Sequence, residues 1–227
     1  MYEFIKRFGC GAALSFGLVA ASTVGASAAT TYTFDFEEFS AGDVISTVTR
    51  GPLTASVSSS AAPAFTSVAF DTNNFTGGDS DLAAPISDLS GSVVDFGIVA
   101  ILQENTNTPI VPDDDAGGGT LSLLFNQSIS FLGADLLDIE EPGVDVFLDG
   151  TLIVDGGGVS ADGLFASVGG VPAASGTLLE FVFVGSGAVD NIQVGVAPVP
   201  LPAAAWLLLS GFGLLVGLRM RRRNAQA

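Results

Sequence analysis

The chain has no histidine, one cysteine (Cys10) and only seven lysines and arginines in 227 residues. Each scarcity removes a class of chemistry. Without histidine there is no imidazole general base, no Ser-His-Asp or Cys-His nucleophile and no His-containing zinc site. A single cysteine excludes an intrachain disulfide. A net charge of −17 has the wrong sign for a nucleic-acid binder, which sets clustered Lys and Arg against phosphate. Six of the seven positive residues lie at the ends: Lys6, Arg7, Arg219, Arg221, Arg222 and Arg223. Between them Arg50 stands alone against 23 of the 24 acids, all but Glu3. The sole Trp (Trp206) is also terminal.

What is present at the ends reads as addressing. Lys6 and Arg7 precede an apolar run over 8–24, and Ala26-Ser27-Ala28-Ala29 supplies the small residues that signal peptidase requires. This three-part order predicts a secretory signal peptide over 1–29. Cys10 comes before most of the apolar run, so a lipoprotein reading is rejected. At the other end, an apolar run over 204–218 precedes four arginines. With Val199 and Leu201 it approaches the roughly 20 residues that span a bilayer. The arginines stay cytoplasmic, so the preceding domain is expected outside.

The spelling Val199, Pro200, Leu201, Pro202, Ala203, followed by one apolar helix and an Arg cluster, resembles the PEP-CTERM sorting signal in its VPLPA-CTERM variant. That resemblance covers residues 198–227. It implies recognition by an exosortase, a membrane-embedded cysteine transpeptidase, after transient anchoring in the inner membrane. It further implies delivery to the cell surface, outer envelope or extracellular matrix of a Gram-negative bacterium, often beside exopolysaccharide and biofilm systems. The run from Phe70 to Asp138 (FDTNNFTGGDSDL, ILQEN, PDDDAGGGTLSLLF, LLDIE) resembles a domain met repeatedly in exported proteins of this type, with no activity attached.

Residues 30–197 form the expected domain, and they read as all-β. TYTFDFEEF over 31–39 alternates aromatic and polar residues, the period of a half-buried strand. Further strands are expected over 44–49, 53–58, 64–70, 93–103, 120–125, 128–138, 144–148, 151–154, 164–168, 177–184 and 188–196. Asp149-Gly150 between two apolar runs predicts a two-residue hairpin. Many short strands with regular turn signals predict a β-sandwich or jelly roll. The stretches 71–92 and 104–119 read as long irregular loops.

Both loops are crowded with oxygen ligands. Asp71 and Asn73, Asp79 and Asp81, and Asp113 and Asp115 stand two apart. That spacing, with glycine to permit tight turns, suits Ca2+, which takes six to eight hard oxygens. Neither loop matches the EF-hand pattern. The alternative is that these acids only keep the loops solvated. A second constellation joins the chain ends: Asp35, Glu37 and Glu38 on the first strand, Asp190 and Asn191 on the last. Jelly-roll modules resembling carbohydrate-binding modules place such strands side by side, and the resemblance implies a structural calcium held by Glu37 or Glu38 with Asp190.

Three functions compete. A non-catalytic, calcium-stabilised surface or matrix protein fits every feature. A carbohydrate-binding module recognising the producer's exopolysaccharide is the alternative. It lacks Trp in the domain and has one tyrosine there, Tyr32, leaving Phe39, Phe65 and Phe75 to stack on sugar. A two-carboxylate glycosidase is the least specific, because 23 acids always supply pairs. The glycine runs at Gly117, Gly118 and Gly119 and at Gly156, Gly157 and Gly158 lack the Lys and helix of a phosphate loop.

Overall fold

The computed structural model describes residues 29–197, apart from 76–78, 109, 140–141 and 161–162. The expected signal peptide (Ala29 excepted) and the sorting segment with Val199, Pro200, Leu201, Pro202 and Ala203 lie outside the described residues. Among the described residues the chain is all-β, without a helix, and so without one long and apolar enough to cross a membrane.

Thirteen strands run in order: β1 (Thr30–Phe34), β2 (Thr47–Arg50), β3 (Leu53–Ser59), β4 (Ser67–Asp71), β5 (Ile86–Asp88), β6 (Val93–Val94) and β7 (Ile98–Leu102). Then follow β8 (Gly119–Leu137), β9 (Val144–Leu148), β10 (Thr151–Gly157), β11 (Leu164–Gly169), β12 (Gly176–Phe183) and β13 (Ala188–Val196).

The 19-residue β8 organises the molecule. Its first half lies between β3 and β12, and that half-sheet continues to β2 on one side and to β9 and β10 on the other. Its second half lies between β11 and β13. There the sheet continues through β11 to β5 and β6, and through β13 to β1 and β7, with β4 beyond β7. The β11–β5 pair is parallel, which makes the sheet mixed. The changeover falls between Leu124 and Ile129, where the β12 register jumps from Leu178↔Leu124 to Gly176↔Ile129.

The two halves face each other as in a β-sandwich. Phe34 of β1 meets Phe125 of β8 edge-to-face at 5.5 Å, and Phe131 of β8 meets Phe181 of β12 at 5.9 Å. Each contact joins a ring of one half-sheet to a ring of the other, in the geometry aromatic quadrupoles prefer. The alternation of β9 and β12 follows from having one face inside.

A second, smaller core explains the strands that do not alternate. Val68, Phe70, Leu82, Ile86, Phe96, Val99, Ile101, Leu137, Phe165 and Ala188 pack together on the outer face of the β7–β13–β8 region. Every residue of β7 is therefore buried, and IVAIL reads as an unbroken apolar run. The stretch 71–92, expected to be irregular, contributes Leu82 and Ile86 to this core and forms β5.

Other expectations shift locally. The expected strand 31–39 ends at Phe34, because Phe36 adopts a left-handed φ of 56° and the chain turns, with Phe39 N donating to Phe36 O. The expected strands 120–125 and 128–138 are one. Asn126 sustains β8 by receiving Thr54 N and donating to Pro52 O. The Asp149-Gly150 hairpin forms as expected, joining Leu148 to Thr151 with φ of 48° and 74°.

Candidate functional site

Two groups of acids lie toward opposite ends of β7, one beside Leu102 and the other beside Ile98 and Asp190 of β13. The first group is built on the segment 111–115. Gln103 donates to Val111 O and receives Asp113 N, Glu104 N donates to Asp113 O, and Asp115 N donates to Leu102 O. These bonds lay the three aspartates alongside the end of β7. Asp114 then points inward and is 5% exposed. Its carboxylate accepts Gly187 N just before β13, and its own N–H donates to Asp79 Oδ2 at 2.7 Å.

The Asp79 and Asp114 carboxyls are also close enough to influence each other's ionisation. Two carboxylates so placed do not both ionise freely without a cation between them. Burial foremost, then the Asp79 carboxyl and its charge, pushes Asp114 up to about 9. Asp79 is raised too, by burial first. The charge of Asp113, foremost, raises Glu104 as well.

The remaining predicted residues of this region are spread out. Asp81 Oδ1 accepts Leu82 N, and Asp113 Oδ2 accepts Asn105 Nδ2. Asp115 is buried and accepts Gly117 N, closing its own turn. Asp71 and Asn73 are separate from this group. Asp71 Oδ1 caps Asn73 N and Asn74 N, and Asn73 Nδ2 donates to Asp95 at 2.6 Å. The loop pairs thus act locally, while Asp79 and Asp114 link the two loops.

The second group surrounds Asp190 of β13. Its direct cross-strand partner in β8 is Asp135, which receives the hydroxyl of Ser167 and Asn191 Nδ2. Asp190 is 1% exposed and burial, first, pushes it up to about 8, with the charges of Asp135, Asp35 and Glu37 adding to the effect. Glu37 accepts Ile98 N at the start of β7. The backbone there has no room to spare: Gly97 has φ +62°, and a Cβ on it would lie 2.3 Å from Glu37 Oε1. Glu38 takes another role, forming an ion pair at 2.6 Å with Arg50, which also holds Asp35. That pairing lowers Glu38 through the Arg50 hydrogen bond.

Sequence reasoning picked out Glu37 and Asp190 but missed Asp114 and Asp135. Among the described residues no three His, Cys, Asp or Glu side chains converge in a set that would hold a metal as they stand. A cation would therefore rest on carboxylate pairs, main-chain oxygens and water. A cleft of about 180 Å³ is lined by Ile139, Gly143, Val144, Phe183, Val184, Gly185 and Ser186, none of them titratable among the described residues. It is below the few hundred Å³ of ordinary ligand pockets. Of the three phenylalanines considered for sugar stacking, Phe65 and Phe75 are exposed, whereas Phe39 packs on the main core. No family model matches this chain, nor does any curated protein or solved structure at a significant level.

Proposed function

We propose that this is an exported, non-catalytic protein of the cell surface or extracellular matrix, a calcium-stabilised jelly-roll-like domain processed by an exosortase. The observation that carries the reading is the layout of the chain. A signal-peptide pattern and a VPLPA-type sorting pattern bracket a single acidic all-β domain. Calcium is supported by the Asp79–Asp114 contact, where two carboxyl groups bind loops 71–92 and 104–119 together. A structural rather than catalytic use of the acids is supported by their placement. The Asp79 and Asp114 carboxyls each accept a backbone amide, and neither lines the cleft. Mass spectrometry of the mature protein tests the reading. A C-terminus near 199–203 is expected, and recovery of intact residues 219–227 from the cell-surface fraction would overturn exosortase processing.

The second reading is a carbohydrate-binding module for the producer's exopolysaccharide. It is favoured by the exposure of Phe65 (61%) and Phe75 (43%), rings available for stacking without Trp. Binding of the protein to that polysaccharide, lost in F65A or F75A, is the expected result; no binding by the wild type rejects it.

A further inference from the structure

Asp190 and Asp135 are register partners in the antiparallel β8–β13 pair. Directly opposed side chains in such a pair stand about 4.5–5.5 Å apart at Cβ, and like charges there destabilise the sheet. Neither acid has a basic partner. Arg50, the sole cation among the described residues, is committed to Asp35, Glu38 and Thr33 O.

The backbone around Asp190 is opened, not closed. Along its other edge β13 pairs with β1 as far as Ile192↔Phe34 and with β7 from Val189↔Ala100. Asp190 and Asn191 fall in the interval between those two partners. The β8 ladder also slips between Asp190 and Gln193, and Asn191 takes a φ of 50°. Glu37 approaches this interval from the start of β7. Within it Asp190 Oδ1 is buried and has no hydrogen-bond partner. A buried carboxylate oxygen without a donor costs free energy that a folded protein recovers only through a partner.

We propose that Asp190 and Asp135 are the primary ligands of a calcium-class divalent cation held between β8 and β13, with Glu37 and Asp35 adding negative potential around it. With both carboxylates ionised, a hard cation meets the orphan oxygen and offsets the cross-strand repulsion together, which no side chain among the described residues does. Two carboxylates completed by water make a weak site, in the range of about 10⁻⁴–10⁻³ M found for extracellular modules. The inference rests on the exported reading only for its supply of calcium. It is independent of the loop acids.

The test is thermal unfolding of the full chain in detergent micelles, in EDTA and in CaCl2. At about 10 mM calcium a site of that affinity raises the melting temperature by roughly 3–10 °C. Asp190→Asn and Asp135→Asn each remove this site's share of that rise, a share that the double variant Asp79→Asn, Asp114→Asn keeps. Asn conserves shape at both positions; Asp135, half-buried, carries the test should Asp190→Asn not fold. Retention of the full rise in both Asp190→Asn and Asp135→Asn overturns the proposal. If the loop double variant alone loses the rise, this site is refuted and the loop reading stands. No rise in the wild type refutes calcium at both places.

Discussion

Raising the pH should weaken this fold, and Asp114 supplies the magnitude. In the unfolded chain its carboxyl loses its proton near the ordinary value of 3.8, whereas in the folded protein it keeps it to about 9. The folded state therefore binds the extra proton throughout that interval. The stability that Asp114 contributes is greatest below 3.8, declines as pH rises and levels off only above the folded value. The slope is about 1.4 kcal/mol per pH unit per proton, so from pH 5 to pH 8 Asp114 alone accounts for a loss of about 4 kcal/mol. For a domain of this size that corresponds to roughly 8–16 °C in melting temperature. Asp79 and Asp190, raised in the same direction, add to the loss. Glu38, Asp88 and Asp149 are lowered and titrate below the window, so they do not oppose it. Urea denaturation in EDTA across the window measures the slope. D114N keeps an acceptor for Gly187 N and can donate to Asp79. It should become more stable than wild type as pH rises, by up to that same margin. A stability difference between D114N and wild type that stays constant from pH 5 to 8 refutes the reasoning.

Three further outcomes follow from the packing. G97A places a Cβ 2.3 Å from Glu37 Oε1 at φ +62°, and should cost about 2–3 kcal/mol in chemical denaturation. L82A should cost about 2–4 kcal/mol despite lying in a stretch that reads as a polar loop, because Leu82 is fully buried in the second core. A neutral cost would mean that this core is not formed. R50M should cost about 1 kcal/mol at low ionic strength and less in high salt, since Asp35 and Glu38 are 44% and 39% exposed and their pairing is screened. Equilibrium unfolding at two salt concentrations measures it.

The regular parts of the fold were legible where apolar residues either alternate, as in β9, or run nearly unbroken, as in β13. β9 and β13 coincide with the runs 144–148 and 188–196, and Asp149-Gly150 marks its hairpin. The strand β8 was not legible as one element. Its polar Asn126, Gln127 and Ser128 look like a turn, yet Asn126 bonds to Thr54 and Pro52 across 72 and 74 residues, contacts that leave no local trace. The short β5 and β6 were hidden for a similar reason, since only tertiary contacts of Ile86 and its neighbours fix them. Within the acids, Asp190 stood out as an isolated charge in the apolar run of β13. Asp114 could not be separated from Asp113 and Asp115 by spacing, because its inward aim comes from the bonds of Gln103 and Glu104. Asp135 was masked by the strand around it, as only the register with β13 makes it the partner of Asp190.

The pairing of β1 with β13 bears on when the domain can fold. Thr30 lies opposite Val196, so the first strand finds its partner only in the last. The central β8 likewise takes three of its four neighbours from the later sequence, β11, β12 and β13. Closure of such long loops is entropically costly, and topologies dominated by distant contacts fold slowly. A ribosome or a translocation channel that still holds β13 therefore holds back the whole sandwich. The strands before it stay unclosed until residue 196 is free, so the sandwich forms only once almost all of the domain is available.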